Sequence, residues 1–406
     1  MESNVTPIKF RNTAGKRRRE TLAEGKQGMD FLLFFAVCAV ALFGIVMLYS
    51  ASYYKGLSEY GNGMKFVRSQ AIYLGIGIVV MFAVSHLDYH FYHRRWIVIV
   101  AYLGVLALLA LTLLIGREVL GAKRWLYIGS FGMQPSELVK FMIVFCMSYY
   151  ISTHHKEMGS LKSFLVLIGM TLPHIALIFL QPNMSMVIII VALTAVMLFL
   201  GGARMKHLLS VAGMGAVGIG ALILVAPYRL SRIWAWWNPW EDTTGRSYQV
   251  VQSMYAFANG GFIGQGFNNS RQKLLFLPEM ENDYILAIIA EELGFIGVVV
   301  LLAAFAFIIY RGIRIALSAP DRFGSLIAFG ITCALALQVL VNVGVVTNSI
   351  PSTGQSLPFI SSGGSSLLVF FGAMGILLNV SRSMKVSKLP SFKSDGEEPS
   401  ARAQAK

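Results

Sequence analysis

Ten apolar runs recur along the chain, near residues 30–51, 69–87, 96–115, 137–152, 164–180, 184–201, 208–227, 284–310, 324–346 and 365–380. A run of about 20 apolar residues matches the thickness of a bilayer's hydrocarbon core, and in lipid each spanning segment must satisfy its own backbone groups, as a helix does. Of the 406 residues, 56% are hydrophobic and 13% charged, too few polar groups to enclose one water-soluble core. The expected fold is all-α, a polytopic membrane protein with about ten transmembrane helices. Its parts would be a basic, disordered cytoplasmic arm over 1–28, a ten-helix domain over 29–384, and a disordered cytoplasmic tail over 385–406. Within the domain, a large irregular extracellular loop is expected over 228–282, between the seventh and eighth helices. Cys38, Cys146 and Cys333 all fall in apolar runs and read as small core residues. No small-residue cleavage signal follows the first run, so it reads as a retained helix.

Charge sets the orientation. With an even number of spans and cytoplasmic ends, 22 of the 34 Lys and Arg lie on the inside, as the positive-inside rule prefers. The basic arm then faces anionic lipid rather than nucleic acid. Against the rule, Arg117, Lys123 and Arg124 share one outer loop, and Arg229, Arg232, Arg246, Arg271 and Lys273 share another. Two readings fit them: an anion handled on that face, with phosphate the natural candidate, or pairing with lipid headgroups and with Glu118, Glu241, Asp242, Glu279 and Glu281.

Four stretches carry candidate chemistry. In QPSELVKF, Pro135 opens a helix with Glu137 in its first turn and Lys140 three residues on, the same helix face. Two charges entering a span together suit either a lined cavity or a self-neutralising pair. In the large loop, Gly260, Gly261, Gly264 and Gly266 would let backbone approach a ligand or would simply form turns. Further on, Asp283 is the last carboxylate before a long apolar run, where partial desolvation raises its pKa toward a value suited to taking a proton. Glu291 and Glu292 would lie roughly 12 Å deeper on a helix, suited to a cation or backbone partner rather than a water-borne substrate. Last, VNVGVVTNSIPSTGQSLPFISSGGSSLL breaks the helix with prolines and glycines. Its serines, Ser365 among them, offer neutral donors for a polyol headgroup, or the segment is only a re-entrant turn. His90, His93, His154 and His155 have no third partner at metal spacing, so no protein-built metal site is expected.

GAKRW, QPSELVK, NPWED, SYQVVQS, SRQKLLFLPE, DYILAIIAEELGFIG and IPSTGQSLPFISSGGSS, in that order, resemble the motifs of the SEDS (shape, elongation, division and sporulation) family, which includes FtsW, RodA and SpoVE. The wording of NPWED and NVGVVT is more similar to the FtsW and SpoVE branch. The resemblance implies a ten-helix peptidoglycan glycosyltransferase that polymerises lipid II outside the plasma membrane of a bacterium, at the division septum. It also implies a single-pass class B penicillin-binding transpeptidase as partner, among other division proteins. The family's essential acid falls on Asp283, and its cavity Glu and Lys on Glu137 and Lys140. The chain departs from the family pattern at Gln181, Pro182, Asn183 and Met184, where an Asp-Leu-Gly run is usual, and at Ser362, where Tyr is usual; neither departure is expected to touch Asp283.

The chemistry this implies is transfer of a sugar from a lipid diphosphate to a hydroxyl. Asp283 would take the proton of the acceptor 4-hydroxyl, with inversion at the donor anomeric carbon. Lys123, Arg124, Lys140, Arg232, Arg246, Arg271 and Lys273 are the candidates for holding diphosphate, together with a divalent cation, Mg or Mn; no organic cofactor is expected. Alternatives of other kinds are a lipid II flippase, which Glu291 and Glu292 keep open, a scaffold, or a RodA- or SpoVE-type polymerase for elongation or sporulation.

Overall fold

The apolar runs become helices almost where hydropathy places them, because a chain in lipid has no other partner for its amides. The computed structural model describes residues 28–119, 121–129, 131–210, 213 and 227–384. Its helices are α1 Phe31–Tyr60, α2 Lys65–His86, α3 Arg95–Ile115, α4 Ser136–Thr153, α5 Leu161–Leu180, α6 Met184–Gly201, α7 Pro227–Trp237, α8 Tyr248–Gly260, α9 Ile285–Leu317, α10 Arg322–Val346 and α11 Gly364–Arg382. Eight of these, α1 to α3, α5, α6 and α9 to α11, are long and apolar enough to cross a membrane. Helix α4 has 18 residues but carries Glu137 and Lys140 in its first two turns. The run expected near 208–227 falls mostly outside the described residues, as do the basic arm through residue 27 and the tail from 385.

Local chemistry sets the ends. Asp30 accepts from the Leu33 amide, Ser160 from Ser163, Asn183 from Met186 and Asp321 from Phe323 and Gly324, each occupying amides that the first turn leaves open. Asp30 also receives the Arg311 guanidinium at 2.9 and 2.5 Å, which ties the start of α1 to the far end of α9. At 30 residues, α1 is longer than a bilayer core requires, and its last turns carry Lys55 to the opposite end of the bundle.

At that end the connections are not plain loops. Residues 117–133 form a three-stranded antiparallel sheet, β1 Arg117–Val119, β2 Ala122–Ile128 and β3 Phe131–Met133, in order β1-β2-β3. Hydropathy gave no sign of it, because strands this short pair through backbone and not through an apolar pattern. The long segment before α9 is likewise partly helical: α7 and α8 lie within it. Trp236 Nε1 donates to the Asn348 carbonyl at 3.0 Å and Ser253 Oγ to the Val346 carbonyl at 2.7 Å, pinning both helices over the end of α10.

Helix α9 is two helices joined at Gly294, whose φ of 67° and ψ of −169° are not helical. The amides and carbonyls freed there are taken up by residues 261–266: Gln265 donates to the Glu291 carbonyl at 2.9 Å, Gly266 to Glu292 at 3.0 Å, and Phe295 to Gly261 at 2.9 Å. A Cβ on Gly264 would stand 2.2 Å from the Glu292 carbonyl oxygen, so the glycine cluster serves close approach, to backbone rather than to a ligand.

Candidate functional site

Asp283 lies two residues before α9, on a turn between the helix and Glu279. It opens into a cavity of about 360 Å³ bounded by Arg124 from β2, residues 182–185, Arg232 from α7, Gln249 from α8, Glu279, and Pro351 to Gly354. Burial pushes the Asp283 carboxyl up to about 7, and the Glu279 carboxylate adds to the rise. The Arg232 guanidinium opposes it, Glu281 raises it further, and Arg124 again opposes. A carboxylate so placed is half-protonated near neutrality and can take a proton from a hydroxyl.

Each wall is held by polar contacts. Arg124 Nε donates to the Gln181 carbonyl at 3.1 Å and Nη2 to the Pro182 carbonyl at 2.5 Å. Arg232 Nη1 donates to the Ser352 carbonyl at 3.1 Å, and Ser185 Oγ donates to the Thr353 carbonyl. The Asp283 turn is fixed from the other side, where Lys55 Nζ reaches Glu281 at 2.5 Å and Glu279 at 3.8 Å. Burial pushes the Glu281 carboxyl up against the pull of that lysine. Glu279 and Glu281 therefore meet Lys55, which the sequence reading had not linked to them. Of the departure at residues 181–184, expected not to touch Asp283, Pro182, Asn183 and Met184 form part of the same cavity wall. Ser362 also comes close, its amide donating to the Glu281 carbonyl at 2.8 Å.

Glu137 and Lys140 are both buried and form an ion pair at 2.8 Å. Lys140 also donates to Gln338 Oε1, and Ser366 Oγ donates to Glu137 at 3.0 Å. The pair therefore sits inside the bundle, behind the cavity rather than on its surface. Ser365 is buried and accepts from the Gln134 amide at 3.3 Å, leaving its neighbour Ser366 in contact with the acid.

The remaining candidates are scattered. Lys273 is almost fully buried: its ammonium meets Glu292 at 3.1 Å, Ser50 at 3.1 Å and Asn268 at 2.5 Å. Its charge is already committed, because a buried carboxylate requires a cation, and it is removed from the set that could hold diphosphate. Glu291 accepts from Ser270 Oγ, from the Gln272 amide at 3.2 Å and from Asn259 at 3.2 Å. Glu292 thus has a cation and Glu291 a backbone partner, from the segment between α8 and α9, joined by Asn259 at the end of α8 and by Ser50 of α1, which donates to Glu292 at 2.5 Å. Lys123 is exposed opposite Glu118 on the sheet. Arg246 is exposed beside a separate surface hollow with Trp234, Glu241 and Asp242. Arg271 is exposed and outside the Asp283 cavity. Of the seven basic candidates, only Arg124 and Arg232 share a cavity with Asp283.

The sequence reading gives Glu279 only as a partner for outer cations and does not single out Ser366, Gln338 and Asn342. The last two are carboxamides four apart in an otherwise apolar helix, a spacing that puts both on one face; polar groups inside a span are costly enough to have marked them.

Fold and site together define a polytopic membrane protein with a cavity of two acids, Asp283 and Glu279, and two arginines at one end of its bundle. Residues 30–386 match the model of the FtsW, RodA and SpoVE cell cycle proteins, and the chain belongs to that family. It is 39% identical to stage V sporulation protein E of Bacillus subtilis (strain 168), over 88% of this chain and 98% of that one. It is 37% identical to an FtsW of Geobacter sp. (strain M18), named a probable peptidoglycan glycosyltransferase, again over 88% and 98%. Among solved structures, a chain of a peptidoglycan synthase complex that coordinates polymerization and crosslinking superposes with a TM-score of 0.73 at 28% identity, covering 87% of this chain and 98% of that one. The rod shape determining protein RodA of Thermus thermophilus superposes with a TM-score of 0.64 at 27% identity, covering 90% and 99%.

Proposed function

We propose that this chain is a peptidoglycan glycosyltransferase that polymerises lipid II, with Asp283 as general base. The observation that carries the reading is the cavity that Asp283 shares with two guanidinium groups, where burial pushes its carboxyl up to about 7. The acceptor 4-hydroxyl oxygen attacks the donor anomeric carbon from the face opposite the diphosphate, and its proton passes to Asp283. The bond from the anomeric carbon to the diphosphate oxygen breaks with inversion, and lipid diphosphate leaves with the electron pair. Arg124 and Arg232 stabilise that charge, since diphosphate needs cations and not a second acid. Among the described residues, no three His, Cys, Asp or Glu gather to hold a metal. A Mg or Mn ion arriving with diphosphate would add positive charge to the leaving group beside Arg124 and Arg232.

The reading places the sheet and the Asp283 cavity outside the plasma membrane and both termini in the cytoplasm. The charge bias of the sequence supports that orientation. Because the relative in the synthase complex works where polymerization and crosslinking are coordinated, a class B penicillin-binding transpeptidase is the proposed partner, among other division proteins. Similarity to both FtsW and SpoVE supports the division and sporulation branch, at a septum, over elongation. The flippase alternative loses its main support, since Glu291 and Glu292 are engaged by residues 259–273 and by Ser50.

The test is the purified chain with its transpeptidase partner in detergent, supplied with lipid II and scored for glycan chains. Wild type makes chains and Asp283→Asn makes none while staying folded and partner-bound. Transport needs a closed bilayer and a scaffold does no chemistry, so an absence of chains from folded, partner-bound wild type sinks the proposal.

A further inference from the structure

We propose that Asn342 is a positioning residue for the reaction: its carboxamide holds the Asp283 turn and the facing wall of the cavity to a single point on α10. The inference rests on Asp283 being the base. Asn342 is fully buried in an apolar helix, a costly place for an amide unless its donors are used. Both are used. Nδ2 donates to the Asp283 carbonyl at 2.8 Å and to the Gln355 carbonyl at 2.7 Å.

The two carbonyls belong to irregular segments far apart in sequence, the turn before α9 and the stretch before α11, and neither segment has a helix to hold it. One turn earlier on α10, Gln338 donates to the Ser356 carbonyl at 3.0 Å, so the stretch hangs from successive carbonyls. The wall it forms touches the acid. Gly354, adjoining Gln355, has φ of 70°, and a Cβ there would lie 3.1 Å from Asp283 Oδ2. Moving Gln355 therefore moves the surface that shields the carboxylate. The charged groups facing Asp283 come from elsewhere: Glu279 and Glu281 on its own turn, Arg124 on β2 and Arg232 on α7. Asn342, Ser352, Thr353 and Gly354 bring no charge, so Asn342 acts through position.

The experiment compares wild type, Asn342→Leu and Asn342→Ser, each as full chain with the transpeptidase partner in detergent and lipid II, reading kcat, KM and the acid limb of the pH–rate profile. Expected is a fall in kcat of about 10- to 100-fold, since small misplacements of a reacting group cost that much, with KM changed less than about twofold. The limb should also move to lower pH, because a loosened turn admits water to the carboxylate. Simple loss of folded enzyme lowers kcat and leaves the limb in place; that result in both variants overturns the inference, as does failure of both to fold. An active Asp283→Asn, or a wild type with no acid limb, sinks the base assignment instead. An inactive Asp283→Asn beside unmoved limbs in the Asn342 variants sinks only the positioning role.

Discussion

The pH dependence of polymerisation follows from the cavity and tests it sharply. As a base, Asp283 works only when deprotonated. With its carboxyl raised to about 7, half the enzyme is competent at that pH, about one-tenth at one pH unit lower, and about nine-tenths at one unit higher. An ordinary carboxylate near 3.8 would give a flat rate across the same range. Glu279 raises the value and Arg232 lowers it, so their removal should move the limb in opposite directions. Glu279→Gln moves it to lower pH and lifts the rate below 7. Arg232→Met moves it to higher pH and, by losing a diphosphate partner, lowers the plateau as well. The assay is initial rate of glycan chain formation from lipid II, with the transpeptidase partner present, at constant ionic strength. A limb that stays in place in both variants, or shifts the same way in both, refutes the electrostatic account of this cavity.

Other expectations concern single positions. Lys273→Met leaves Glu292 buried without its cation and should cost on the order of 3–5 kcal/mol, read as a lower thermal unfolding temperature in detergent. Arg124→Gln should lower polymerisation at least about tenfold, whereas Lys123→Gln and Arg246→Gln, whose side chains lie outside the cavity, should change it less than about twofold; the lipid II assay separates them. Gly264→Val sets a branched side chain against the Glu292 carbonyl at a positive φ, and should yield protein that fails to elute as a folded monodisperse species.

The sequence alone determined the helical, membrane-spanning architecture, because lipid leaves a chain no other way to satisfy its backbone, and nine of the expected runs lie within a few residues of observed helices. It also singled out Asp283, since the last carboxylate before an apolar run must sit at a boundary. Helical spacing put Glu137 and Lys140 on one face, and the structure decided between a lined cavity and a self-neutralising pair by joining them at 2.8 Å. Tertiary structure decided which cations join that acid. Charge and side of the membrane made Lys123, Arg124, Arg232, Arg246, Arg271 and Lys273 equivalent on paper, yet only Arg124 and Arg232 are brought to the cavity and Lys273 is turned inward to Glu292. Sequence distance carries no information about such meetings: Asn342 touches the carbonyls of Asp283 and Gln355 only because α10 passes between the two irregular segments that carry them. The kink at Gly294 belongs to the same class, because a helix can break inside an apolar run only where another segment takes up its freed hydrogen bonds.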